Sequence, residues 1–67
     1  MNFIYKIDYG EPKSNNDYAI RYCVETEEEY AKIKGQKEFK TDFKINNTAF
    51  DIYLGGIIIT KEEYDNL

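Results

Sequence analysis

A chain of 67 residues with thirteen acids, nine bases, one cysteine and no histidine, net charge −4, is a single small domain (residues 1–67), near the lower size at which a core holds unaided. That composition excludes an internal disulfide, makes a structural zinc site implausible and removes the side chain that shuttles protons near neutral pH. The acidic balance opposes a dedicated nucleic-acid binder, whose phosphate affinity comes from concentrated Lys and Arg.

So small a fold is stabilised either by very regular packing or by burying surface against another molecule. Seven tyrosines and four phenylalanines favour the second route, because Tyr offers large, stiff, half-polar contact area. The plainer alternative is a set of rings half-buried on a sheet with their hydroxyls in water.

In chain order, residues 3–9 alternate, with Phe3, Tyr5, Ile7 and Tyr9 on one side and Lys6 and Asp8 on the other, which predicts a half-buried strand. Residues 10–17 concentrate turn-forming types and read as an exposed loop. A second strand is expected over 18–25, with Tyr18, Ile20, Tyr22 and Val24 on one face, pairing with the first as a long-looped hairpin. Thr26 and Glu29 form the capping-box pattern and Gly35 is a stop, so 26–33 predicts a short helix docked through Tyr30 and Ile33.

From Glu38 the period returns to two. Phe39, Thr41, Phe43 and Ile45 oppose Lys40, Asp42 and Lys44 as a third strand, and Asn46-Asn47-Thr48 is a tight turn into a fourth over 49–54. Gly55-Gly56 permits a bend before the β-branched triplet 57–59, and Thr60 with Glu63 opens a final helix anchored by Tyr64 and Leu67. The order is ββαββα, an α+β fold. Its four- or five-stranded, mostly antiparallel sheet carries one short helix packed on a face and a short C-terminal helix. The two Thr-x-Glu-Glu-Tyr stretches align, but acids at a helix start followed by an aromatic anchor explain the likeness without a duplication.

Chemistry-bearing patterns are sparse. Ser14 is the lone serine and has no base beside it, and Cys23 on a strand is best read as an inert buried thiol, although Arg21 shares its face. Residues 10–14 lack the glycines of a phosphate loop, and no calcium-loop spacing of acids occurs. Lys37, Lys40 and Lys44 interleave with Phe39 and Phe43, but alternation sends rings and cations to opposite faces, against a single-strand nucleic-acid surface. No cofactor or metal is expected, and the chain is not expected to be an enzyme.

What remains is shape and charge. Glu27, Glu28 and Glu29 stand at one expected helix start and Glu62, Glu63 and Asp65 at the other. On one face of the sheet, with Tyr53 beside them, they would form an acidic band that imitates nucleic-acid phosphates. The leading expectation is therefore a non-enzymatic interaction protein that covers a basic site on a host protein, without direct nucleic-acid or membrane contact. Inhibitors of nucleic-acid enzymes, anti-CRISPR proteins among them, fall in this class by size and charge. Codon-biased residue types (Asn, Ile, Lys, Tyr) suggest a low-GC bacterium or its phage, and no leader or long apolar run suggests export, so a cytoplasmic location in the bacterial host is expected. The alternative is a self-associating assembly subunit, for instance a homodimer, because residues 57–59 invite pairing if exposed.

Overall fold

The structure is a computed structural model and describes residues 2–8 and 17–67. Its elements are β1 (Ile4–Ile7), β2 (Tyr18–Cys23), β3 (Glu28–Ile33), β4 (Phe39–Lys40), α1 (Asn47–Gly55), β5 (Ile57–Ile59) and α2 (Lys61–Asp65). The strands form one five-stranded sheet in the order β4-β3-β2-β1-β5, every neighbouring pair antiparallel. The α+β class, the antiparallel sheet and the two short helices are as expected, and the ββαββα outline is kept roughly. Tyr9 and the loop expected over 10–16 lie outside the described residues.

The registers define two faces. Ile58, Lys6, Ile20, Ala31 and Phe39 oppose one another in a row across the sheet, and Ile59, Tyr5, Arg21, Tyr30 and Lys40 form the adjacent row on the other side. Helix α1 covers the first face: Ala49 and Ile52 pack with Ile20, Tyr22, Ala31 and Phe43, with Tyr18 and Tyr53 at the margin. Helix α2 covers the second, where Tyr64 packs with Ile7 and Ala19 beside Tyr5, Ile59 and Leu67. The alanines at 19, 31 and 49 are wholly buried; their small side chains let the layers approach closely.

Neither helix has a basic residue in its last turn. The sheet supplies one to each. Lys6 Nζ donates to the Tyr53 carbonyl at 2.7 Å, and Lys32 Nζ donates to the Asp65 carbonyl at 2.9 Å. These carbonyls have no partner within their own helix, and a cation there also opposes the negative end of the helix dipole.

Three local expectations are corrected. Residues 26–33 are not a helix: β3 pairs with β2 over six rungs from Tyr18↔Ile33 to Cys23↔Glu28, so long-range pairing overrides a local cap signal. Thr26 instead lies in the β2–β3 turn, closed by Glu27 N donating to the Cys23 carbonyl at 2.8 Å. With a turn at 26–27 running into strand 28–33, and a helix over 61–65, the two similar stretches adopt different structures.

Residues 49–54 are helix rather than strand. Asn46, expected in a hairpin turn, is the N-cap of α1: its Oδ1 accepts from Ala49 N at 3.1 Å, and its Nδ2 donates to Thr41 Oγ1 and Tyr18 Oη. A strand would set Phe50, Ile52 and Leu54 on one side, but Phe50 and Leu54 are 40% and 65% exposed, while Ala49 and Ile52, three apart, face the core. The strand expected over 39–45 stops at Lys40. The Asp42 carbonyl then accepts from Ile45 N and Asn46 N, a turn that folds Phe43 under α1 and leaves Ile45 outside.

Gly56 joins α1 to β5 under tight constraint. Its N–H donates to the Ile52 carbonyl at 2.7 Å, and a Cβ there would lie 2.6 Å from that oxygen, 2.7 Å from Ile52 Cγ2 and 3.0 Å from the Ile7 carbonyl. Gly55 has open space around its Cβ position. Gly56→Ala is therefore expected to destabilise by about 2 kcal/mol through overpacking, while Gly55→Ala gains about 0.5 kcal/mol from lowered unfolded-chain entropy. Urea unfolding of both variants checks the opposite signs.

Candidate functional site

Two side-chain clusters stand out, one on each face. Under α2, the Arg21 guanidinium lies between the rings of Phe3 and Tyr30, 4.3 and 4.2 Å from their centroids. It makes a two-pronged bond to Glu38, Nε to Oε2 at 2.6 Å and Nη2 to Oε1 at 2.9 Å, and Tyr64 Oη donates to the same Oε2 at 2.6 Å. This side-chain network joins β2, β3, the segment before β4, and α2.

Its ionisations are fixed, not poised. Hydrogen bonds from Arg21, then from Tyr64, hold the Glu38 carboxyl below its usual range, and the bond to Glu38 pushes the Arg21 guanidinium further up. Burial, then the bond to Glu38, drives the Tyr64 phenol well above its ordinary value. The bonds from Arg21 and Tyr64 to one carboxylate tie β2 and α2 to the segment before β4, and the cluster serves as a structural lock. Arg21 is thereby engaged away from Cys23, which is 1% exposed, its thiol held below the usual value by the Thr26 hydroxyl and backbone. A thiol this buried is out of reach of a substrate.

On the α1 face, an open groove of about 620 Å³ runs between the β2–β3 turn, residues 40–44 and α1. Aromatic rings form its floor and wall: Tyr22 meets Phe43 and Tyr53 edge-on, at centroid distances of 6.0 and 4.8 Å, and Phe50 stacks on Tyr53 at 6.1 Å. Glu27, Glu29 and Asp42 bring carboxylates to its border and Lys44 an ammonium group, while Lys40 lines it from a strand position that faces the α2 side. The faces of Tyr22 and Tyr53 already hold one cation, Lys6 Nζ, at 5.9 and 5.7 Å.

The residues singled out from sequence divide between the faces. Glu27, Glu29 and Tyr53 meet at this groove. Glu29 has structural work there, its Oε1 accepting from Phe43 N at 2.7 Å. Glu28 opposes Cys23 on the other face. Glu62, Glu63 and Asp65 ride on α2, where Glu63 closes the capping box with Thr60 and Asp65 pairs with Lys61 at 2.8 Å. The acidic band required two helix starts on one face; residue 26 starts no helix and α2 lies on the opposite side, so those carboxylates do not line up. Asp42 and Phe50 are not candidates in the sequence: with 39–45 and 49–54 read as strands, Asp42 faces away from Phe43 and nothing brings Phe50 to either.

Among the described residues, no group of three or more His, Cys, Asp or Glu is placed to hold a metal ion, and no helix is long and apolar enough to cross a membrane. No protein-family model, curated protein or solved structure matches the chain.

The Glu38 lock carries a pH signature. Its folded pKa lies below its ordinary 4.5, so the stability it adds is fully present above that value and is lost as pH falls through the folded value. Glu38→Gln is expected to cost about 1 kcal/mol near neutral pH, screening at this partly exposed pair included. The gap to the wild type narrows as pH falls through the folded value. Urea unfolding across a series from neutral to acid pH reads the difference.

Proposed function

We propose that this chain acts by contact, as a non-enzymatic interaction module that seats a basic segment of a protein partner in the α1-face groove. The observation carrying this reading is Glu27. Among the described non-glycine residues it alone has a positive φ, 60°, a conformation that costs an L-residue about 1 kcal/mol and that Gly or Asn adopts far more readily. A carboxylate is held there nonetheless, on the border of the groove. Backbone strain retained at a surface turn is more readily explained by what the side chain meets than by the fold.

The groove suits a lysine or arginine of the partner. The ring of Phe50 offers a half-exposed aromatic face, and Glu27 and Asp42 offer charge. Lys44 on the same border would meet an acid or carbonyl of the partner and set its register. A small acidic protein of this kind fits a phage- or mobile-element-encoded inhibitor that covers the basic, nucleic-acid-binding site of a bacterial host protein, with anti-CRISPR inhibitors as one example of the class. Imitation of nucleic acid would then rest on one groove rather than on a long acidic band.

Partner capture from a low-GC bacterial lysate, followed by titration of the purified partner, tests this reading. Glu27→Asn is expected to raise stability by about 1 kcal/mol and yet weaken binding about tenfold, loss of a desolvated charge contact being worth that much. Asp42→Asn keeps the turn and weakens binding similarly, and the wild-type affinity falls as salt rises. Salt-independent binding that neither variant alters would sink the proposal.

A further inference from the structure

We propose that β5 is the pairing edge of a symmetric dimer, in which the β5 of a second copy runs antiparallel to it with Ile58 opposite Ile58. The two ends of the sheet differ in a way that points to this. One end, β4, has only two residues, one of them Lys40, and is flanked by Lys37 and Glu38; short strands and charge are the devices that keep an edge from pairing. The other end, Ile57–Ile59, has no charge, no proline and, among the described residues, a neighbour on one side only. Among the described residues its row of outward backbone N–H and C=O groups is an open template.

The side chains agree. Ile58 is 70% and Ile57 46% exposed, and Ile4, diagonal to Ile58 on the α1 face, is 38% exposed. Leu54, in the last turn of α1 just before the strand, is 65% exposed. A stable pair buries about 800 Å² per partner, more than a three-residue strand supplies, and these flanking aliphatic side chains extend the contact.

A second copy fits better than an unrelated strand because the edge is complementary to itself. A two-fold centred on Ile58 sets Ile57 against Ile59 of the second copy and Gly56 against its Thr60, so no charge opposes a like charge. With the β4 end guarded, pairing stops at two copies. The proposal is independent of the groove, which lies at the β2–β3 turn and α1 and stays open.

Sedimentation equilibrium over a concentration series tests it. The expected mass rises from 8.0 kDa to twice that value and stops there. Because both copies carry a charge of −4, added salt leaves the dimer unchanged or tightens it, opposite to the trend expected for a basic partner. Ile58→Lys, which sets two ammonium groups face to face at the axis, raises the dimer dissociation constant about 100-fold with an unchanged circular dichroism spectrum. Ile58→Thr keeps the β-branched shape and weakens the dimer less, and serves as the readout should the lysine variant unfold. A monomer at every concentration, a mass that grows beyond two copies, or a dimer indifferent to both substitutions would overturn the proposal.

Discussion

The central strand cannot face water on either side. Ala19, Ile20, Tyr22 and Cys23 of β2 are all buried, and they point alternately to both faces. A 67-residue chain must therefore cover two faces of one sheet with very little material, and it does so with one short helix on each. Helices of nine and five residues do not hold alone in water; their stability is borrowed from the sheet. That dependence explains why each is tied down at its exposed carbonyl end by a lysine from the strand below it, Lys6 for α1 and Lys32 for α2. The two lysines also spend their aliphatic stems on packing while their heads reach polar partners.

Polar residues carry much of the joining elsewhere as well. Asn46 caps α1 and at the same time ties Thr41 and Tyr18 together, so the turn, the helix and the sheet meet at one side chain. Glu29 reaches out of β3 to the Phe43 amide, fixing the segment that carries Phe43 beneath α1. Arg21, Glu38 and Tyr64 do the same across the second face. No buried side-chain polar atom among the described residues lacks a partner. In a domain this small, where burial alone is scarcely sufficient, satisfied polar links of this kind fix which packing is adopted.

How far the sequence discloses this fold depends on the range of the forces involved. The strands at β1, β2 and β5 and the Thr60 capping box are legible because alternation and caps are local signals, and there local and tertiary preferences agree. Thr26 shows the opposite case: Thr26 and Glu29 satisfy a helix-start pattern, but β2 offers six rungs of pairing that no local window contains. Residues 49–54 fit both periods, and Phe50, Ile52 and Leu54 alternate as cleanly as Ala49 and Ile52 repeat by three. The Asn46 cap decides the matter, and an Asn-Asn-Thr run reads equally well as a turn. The groove inherits these errors. Glu27 and Tyr53 are nominated as parts of an acidic band at two helix starts, one of which does not form, and Asp42 and Phe50 join them only once α1 crosses the sheet, which is a property of the topology.

The same crossing separates the α1-face groove from the β5 edge, the two surfaces proposed for contact. After β4 the backbone passes over the sheet as α1 and descends at the far edge as β5, so α1 forms the wall of the groove at one end and delivers Leu54 and the isoleucine edge at the other. Charge follows the same division. Three carboxylates and Lys44 border the groove, as the proposed basic partner requires, and Ile57–Ile59 carries no charge, as the proposed pairing of like-charged copies requires. Gly56 makes the passage possible: only a residue without a side chain fits between the Ile52 and Ile7 carbonyls. A larger residue there would lift α1 off the sheet and displace β5 from β1, disturbing the groove wall and the pairing edge together. Of the glycines described, the one with no room for a side chain is thus the one on which both proposed surfaces depend.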